Sequence, residues 1–349
     1  MKNIKNEILS MSRQDQGEQL SPWFDNMLSE RIGDEFADHE GLNAIKDGII
    51  ADLTNYREEG GVSTVVLGMS GGVDSALTAA LFKAAGWKVI GVTMPINQNP
   101  DETDRGIEAC AAIGIEHLHI DLSDMFVSMQ NELGLLDEEI DNNNDSMVNK
   151  ATLIRRGNIR ARLRMITLYN LAALHGGLVA STDNLSELAA GFWTINGDCG
   201  DVAPIQSLTK SWEVPMLAKM IDVPEKTWKA KPTDGLGIAN GDEDQFGFTY
   251  LELDLMLFSV EAMMSDGLFD DVTNWSLGYM QDSMIEYMGI KNDPRAMEVY
   301  EKLLGRMGST WFKRADTINL SHPIDGNNRF RQMNNIDRDL FYPSMMKKG

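Results

Sequence analysis

The chain has 349 residues, 43% of them hydrophobic and 24% charged, a balance that excludes a disordered or fibrous protein and leaves room for one large globular domain or two. Asp and Glu outnumber Lys and Arg by 53 to 31, and the resulting charge of −22, spread along the chain, disfavours nucleic acid and anionic membranes as partners. No apolar stretch reaches the length of a membrane span, the N-terminus lacks an apolar signal core, and Cys110 and Cys199 are too few for a disulfide framework, so a reduced, cytoplasmic protein is expected.

Residues 1–40 read as a helical, acidic extension in which Trp23, Phe24, Met27 and Leu28 offer an apolar stripe for packing or subunit contact. A helix is expected over 42–56, with Ile45, Ile49, Ile50 and Leu53 on its apolar side and Gly60-Gly61 as its stop. From there strand and helix alternate: strand 64–67, helix 74–85, strand 89–93, helix 103–113 and strand 117–121, with Gly86 and Gly114 ending the helices. A helix over 123–133, a polar stretch over 137–145 and a long helix over 149–175 lead to a strand at 178–181. Such alternation means parallel strands joined by right-handed crossovers, hence an α/β fold built on a doubly wound parallel sheet. Beyond Asp183 the chain turns helical and loop-rich. Residues 229–247 read as a long functional loop, and apolar helices follow over 250–264 and 294–307.

Ser70-Gly71-Gly72-Val73-Asp74-Ser75, directly after the apolar run Thr64-Val65-Val66-Leu67, carries the most chemistry. Two glycines let backbone approach phosphate oxygens, and the helix that follows aims unpaired N–H groups and its positive dipole end at them. Ser70 and Ser75 add hydroxyl donors. An acid inside an anion-binding turn repels phosphate unless a cation lies between them, so Asp74 argues for Mg2+. The turn is neither a Walker A loop nor a dinucleotide fingerprint. Further along, Arg160 and Arg164 are four residues apart and share a helix face that could grip phosphate or carboxylate, while Arg162 points elsewhere. Thr182-Asp183-Asn184-Leu185-Ser186-Glu187 stands at a strand end, where Asp183 or Asn184 caps the next helix and Glu187 either complements its dipole or joins Asp74 in a metal clamp. Gly197-Asp198-Cys199-Gly200-Asp201 forms another polar turn. Lys210, at an expected helix start where a cation opposes the dipole, reads as a phosphate ligand.

Taken together, these segments resemble the NAD synthetases, specifically the short ammonia-using form, within the N-type ATP pyrophosphatase superfamily. The resemblance runs from about residue 42 to 313 and includes Met94-Pro95-Ile96-Asn97-Gln98, Gly157-Asn158-Ile159-Arg160-Ala161-Arg162-Leu163-Arg164, Gly191-Phe192-Trp193-Thr194, Leu208-Thr209-Lys210 and Lys231-Pro232-Thr233. It implies an adenine-nucleotide α-hydrolase-like fold, with a helical N-terminal extension at 1–40, a synthetase-like domain at 41–320 with a helical C-terminal part, and a tail at 321–349. It implies ATP as co-substrate, held by Gly68, Ser70, Gly71, Gly72, Asp74 and Ser75 together with Met94, Thr182, Lys210 and Thr233. It further implies Mg2+ on Asp74 and Glu187, and deamido-NAD held by Arg162, Asp201 and Lys313 at a homodimer interface. Ammonia is implied near Asp198, with Asp198 and Lys210 as the catalytic pair. The chain departs from the pattern at Ile195, where the family commonly has Lys, at Phe312, where it has His, and in a loop after Asp198 that is one residue shorter. The alternatives are another adenylating amidotransferase of the superfamily, which the segments from Arg160 onward disfavour, and a nucleotide-binding regulator without catalysis, which the retained acids and Lys210 disfavour.

Overall fold

The computed structural model describes residues 2–12, 19–32, 38–141, 150–232, 241–266 and 277–314. Two helices, α1 (Lys2–Met11) and α2 (Pro22–Arg31), precede α3 (His39–Gly60). Asp38 starts α3 by accepting a hydrogen bond from the Gly41 amide at 2.8 Å, and Gly61, left-handed at φ +66°, ends it. The sheet contains β1 (Thr64–Gly68), β2 (Lys88–Thr93), β3 (Glu116–His119) and β4 (Leu178–Val179), all pairs parallel, in the order β3-β2-β1-β4. Parallel neighbours need crossovers, here α4 (Val73–Ala84), α5 (Pro100–Ile113), and the pair α6 (Ser123–Asp141) and α7 (Lys150–His175). The doubly wound α/β expectation is borne out.

Alternation along the strands divides the core. Val65, Leu67 and Val89 face the layer that holds α3, α4 and α5, whereas Val66, Ile90 and Val92 face Phe126 of α6 and Leu163 and Leu168 of α7. From β1 the chain steps out to β2 and β3 and then returns to β4 on the other edge of β1. The order therefore reverses between β1 and β4, and the loops at their carboxyl ends part to form the crevice where such sheets bind ligands.

The remaining helices are α8 (Leu185–Ala189), α9 (Glu213–Met220), α10 (Glu225–Trp228), α11 (Asp242–Phe246), α12 (Tyr250–Ser265), α13 (Leu277–Met288) and α14 (Pro294–Ser309). They enlarge the first layer, with Trp212, Phe248, Leu251 and Val299 fully buried. The stripe on α2 packs within the chain: Phe24 and Leu28 are buried in this core, and Trp23 donates from its backbone to Asp293 at 2.9 Å and from its indole to the Met288 carbonyl at 2.7 Å.

Several expected elements change length. The strand expected at 178–181 ends at Val179: Ala180 N still donates to the Val66 carbonyl of β1 at 3.0 Å, but Ser181 N turns away to the Val202 carbonyl at 2.8 Å. The helix expected to end at 133 runs on to Asp141, and residues 142–149 of the polar stretch lie outside the described residues. The long loop expected over 229–247 is partly helical, since α11 forms within it. Among the described residues no helix is long and apolar enough to cross a membrane.

Candidate active site

The turn after β1 opens a cleft of about 580 Å3. Gly71 has φ +84°, and a Cβ there would lie 2.1 Å from the Glu102 carbonyl oxygen, so only glycine lets the turn pass this close to α5. The turn is held from both sides. The Ser70 and Ser75 hydroxyls lie 3.1 Å apart, Gly72 N donates to Ser70 Oγ at 3.2 Å, and Arg105 Nε donates to the Gly71 carbonyl at 3.2 Å. Gly68, Ser70, Gly72, Asp74 and Met94 line the cleft, whereas Gly71 and Ser75 support it from behind.

Across the switch point, Asn184 is the cap of α8: its Oδ1 accepts from Glu187 N at 3.0 Å, while its Nδ2 donates to Asp74 Oδ1 at 3.0 Å. One side chain thus ends the ambiguity between Asp183 and Asn184 and ties the two strand ends together. Asp74 and Glu187 converge on a single cation, the buried ammonium of Lys210, which pairs with Asp74 and lies 3.2 Å from Glu187. Burial alone would favour the neutral amine, but the two carboxylates outweigh it and raise the Lys210 pKa. Lys210 is not at a helix start; it sits in the turn before α9, its amide bonded to Ser186 Oγ at 2.9 Å. Two carboxylates aimed at one cation-sized point, taken up here by the Lys210 ammonium, are hard oxygen donors of the kind that suit a divalent ion sharing oxygens with phosphate.

The arginines of α7 sort by face. Arg160 and Arg164 line the cleft, and Arg164 donates to the Met94 carbonyl at 3.0 Å and to Gln98 Oε1 at 2.8 Å. Burial, then Arg160, pushes the Arg164 pKa down to about 10. Arg162 is exposed and does not line the cleft; it donates to the Ile195 carbonyl at 3.2 Å. Asp201 is also exposed, bonded to Tyr169 Oη at 3.0 Å and Val179 N at 2.9 Å. Thr182, Asp198 and Lys313 do line the cleft, with Lys313 donating to the carbonyls of Gly191 and Trp193. Burial raises the Asp198 pKa, against hydrogen bonds from Thr194 and the charges of Arg164 and Lys313. Thr233 lies outside the described residues.

Asp183 and Arg105 also line the cleft, and the sequence does not single out either for it. In the sequence Asp183 is one of two equivalent capping candidates, and Arg105 carries no signal beyond its charge on a helix.

A family model for NAD synthase matches residues 45–281. The chain belongs to the NAD synthase family. Among its relatives, the NH(3)-dependent NAD(+) synthetase of Finegoldia magna is 38% identical over 226 residues, covering 63% of this chain and 87% of that one. The enzyme of the same name from Pelodictyon phaeoclathratiforme is 33% identical over 79% of this chain and 95% of its own length. An NH3-dependent NAD synthetase from Campylobacter jejuni superposes with a TM-score of 0.58 at 26% identity, covering 80% of this chain and 99% of that structure. The NMN synthetase of Francisella tularensis, at 24% identity and a TM-score of 0.59 over 79% and 97% of the two chains, shares the fold. Membership in the NAD synthase family makes the switch-point cleft the place to look for its chemistry.

Proposed function

We propose that this chain is an ammonia-dependent NAD+ synthetase, a ligase that forms a C–N bond between ammonia and the nicotinate carboxylate of deamido-NAD while cleaving ATP to AMP and pyrophosphate. The observation that carries this reading is the convergence of the Ser70–Ser75 turn, the acids Asp74 and Glu187, Lys210 and Asp198 on one cleft in a chain of this family. A carboxylate is a poor electrophile, and transfer to AMP activates it. The nicotinate oxygen attacks the α-phosphate, pyrophosphate leaves, and the acyl-adenylate accepts ammonia with loss of AMP.

The residues divide the work. The turn 68–75, with Met94, Thr182 and Thr233, holds ATP, and the backbone amides opening α4 face its phosphates. Mg2+ held by Asp74 and Glu187 supplies charge neutralisation to the phosphates when bound. Lys210, which otherwise neutralises both acids, meets the phosphates and steadies the departing pyrophosphate. Asp198 binds ammonium and takes its proton.

The active form is a homodimer in this reading. Arg162, Ile166 and Tyr169 recur at helical spacing on one face of α7, and Tyr169 holds Asp201. Ile166 is 66% exposed and Leu174 72%, and Met125 and Met129 of α6 are exposed as well, apolar side chains of the kind partners cover. Arg162 and Asp201, absent from the cleft of one chain, lie on this face, so a second copy packed there completes the deamido-NAD site, to which Lys313 also belongs. Residues 1–40 are an extension, 41–320 the catalytic unit and 321–349 a tail. The free thiols Cys110 and Cys199 suit a reducing, cytoplasmic setting.

Chromatographic analysis of purified protein with ATP, Mg2+, deamido-NAD and either ammonium or glutamine tests the reading. NAD+ and AMP with ammonium alone are expected; AMP without NAD+ would leave adenylation standing and the acceptor wrong.

A further inference from the structure

The end of α14 closes over the turn that follows α8. Gly191 is left-handed at φ +64°, and a Cβ there would lie 2.1 Å from Thr310 Oγ1, so the two meet this closely only over glycine. The contact brings Arg306 to the cleft wall, where its Nε donates to the Ala190 carbonyl at 3.1 Å. Its guanidinium carbon stands 4.8 Å from the centre of the Phe246 ring and 5.9 Å from that of Phe192, within the range of cation–π attraction. Phe246 is buried and meets Phe192 edge-on at 4.8 Å, which fixes the surface under the guanidinium.

The rest of the fork is open. Among the described residues neither Nη group of Arg306 donates a hydrogen bond and no carboxylate pairs with it, in a chain that carries 53 acidic residues to 31 basic ones. A basic residue in the last turn of α14 complements the helix dipole, but an exposed charge does that equally well. Arg306 is instead partly buried, and burial lowers its pKa with Tyr250, not a carboxylate, set against it. Withdrawing a guanidinium from water without a counterion costs free energy that an anionic ligand offsets. Its neighbours on this wall add donors: burial, with the charges of Arg306 and Arg314, lowers the Lys313 pKa against Asp198, and Trp193 keeps its indole N–H buried with no acceptor among the described residues.

From this arrangement we infer that Arg306 is a substrate-binding residue whose two open Nη groups take an oxyanion of a substrate, a phosphate or a carboxylate, in the forked geometry that a guanidinium matches. Ala190 and the two phenylalanine rings hold the fork in place before the ligand arrives, so little side-chain entropy is lost on binding. The inference rests on the synthetase reading above and adds a residue to it. The oxyanion belongs either to the ATP phosphates or to deamido-NAD, and the test tells which.

Steady-state NAD+ formation, with ATP, deamido-NAD and ammonium varied in turn, provides that test. Arg306→Gln is expected to raise KM for either ATP or deamido-NAD about tenfold or more, the worth of a charge-assisted hydrogen bond, with the other two KM values held within about twofold of wild type. A rise confined to ATP assigns the oxyanion to the triphosphate, and one confined to deamido-NAD assigns it to the dinucleotide. Arg306→Lys, which keeps the charge without the fork, is expected to raise the same KM by less. Unchanged KM values in a folded Arg306→Gln protein overturn the inference. So does an equal rise in all three together with a lower melting temperature, which marks a residue that only ties α14 to α8. Should the Gln variant fail to fold, unchanged KM values in Arg306→Lys overturn it. Wild-type protein that forms no NAD+ overturns the synthetase reading itself, and this assignment with it.

Discussion

Lys210 is the residue on which the site turns. Its ammonium is the countercharge for two carboxylates brought together from positions 74 and 187, all three largely buried. Truncating one partner of a buried ionic cluster leaves the others uncompensated, at a cost of about 3–5 kcal/mol. Lys210→Ala is therefore expected to melt well below wild type in EDTA, and millimolar Mg2+ to restore part of the loss, since a metal on the same two acids replaces the missing charge. Equal melting of variant and wild type in EDTA would show that the acids do not share one cation site.

Asp254, behind Lys210, is buried and accepts from Ser186 Oγ, Ser211 N and Ser211 Oγ, and Ser186 Oγ in turn accepts from the Lys210 amide. Burial, against those donors, raises its pKa to about 7. An unfolded Asp titrates near 4. The folded state thus binds the proton more tightly, so this group's stabilisation is complete below about pH 4 and is lost as pH rises through about 7. Asp254→Asn is expected to make the slope of unfolding free energy against pH less negative between those values, by up to about 1.4 kcal/mol per pH unit. Urea denaturation across pH 4.5–7.5 reads this, and parallel slopes for the two proteins would contradict it.

Among the elements, α2 shows how an extension becomes part of a core. Its first turn begins at Pro22, and its side chains enter the space between α12 and α14, where Asp293 both caps α14 and accepts from the Trp23 amide. Phe24→Ala is expected to destabilise the whole protein by about 3–5 kcal/mol, the cost of a large buried ring, as a single cooperative transition in denaturant. A loss below about 1 kcal/mol would mean that α2 docks loosely. The caps follow the same local chemistry: Asn99 with Pro100 opens α5, and Gly114, left-handed, closes it. Both signals stand in the sequence. The boundary of β4 does not, because Leu178-Val179-Ala180-Ser181 reads as one apolar run, and only the approach of residues 200–202 decides which backbone groups stay with β1.

At the scale of the molecule, α6 and α7 leave Met125, Met129, Ile166 and Leu174 exposed in the single chain. Ile166→Glu together with Leu174→Glu is expected to convert a dimer at micromolar concentration into monomer, with KM for deamido-NAD raised at least tenfold and the fold retained. Light scattering with steady-state kinetics tests this, and wild-type protein found monomeric with full activity would sink it.

The turn at 70–75, the alternation of strands and helices, and the acids and lysine of the cleft were legible from the chain alone, because a turn's dihedrals, a cap and a hydrophobic period are properties of a few adjacent residues. The amino-acid order by itself thereby determined the parallel sheet, the glycine-rich turn after β1 and the family. Tertiary structure decided what depends on distant groups meeting. It chose Asn184 over Asp183 as cap, set Lys210 between Asp74 and Glu187, and turned Arg160 and Arg164 inward and Arg162 outward. Burial and opposing charge create those assignments, and neither exists until the chain has closed around them.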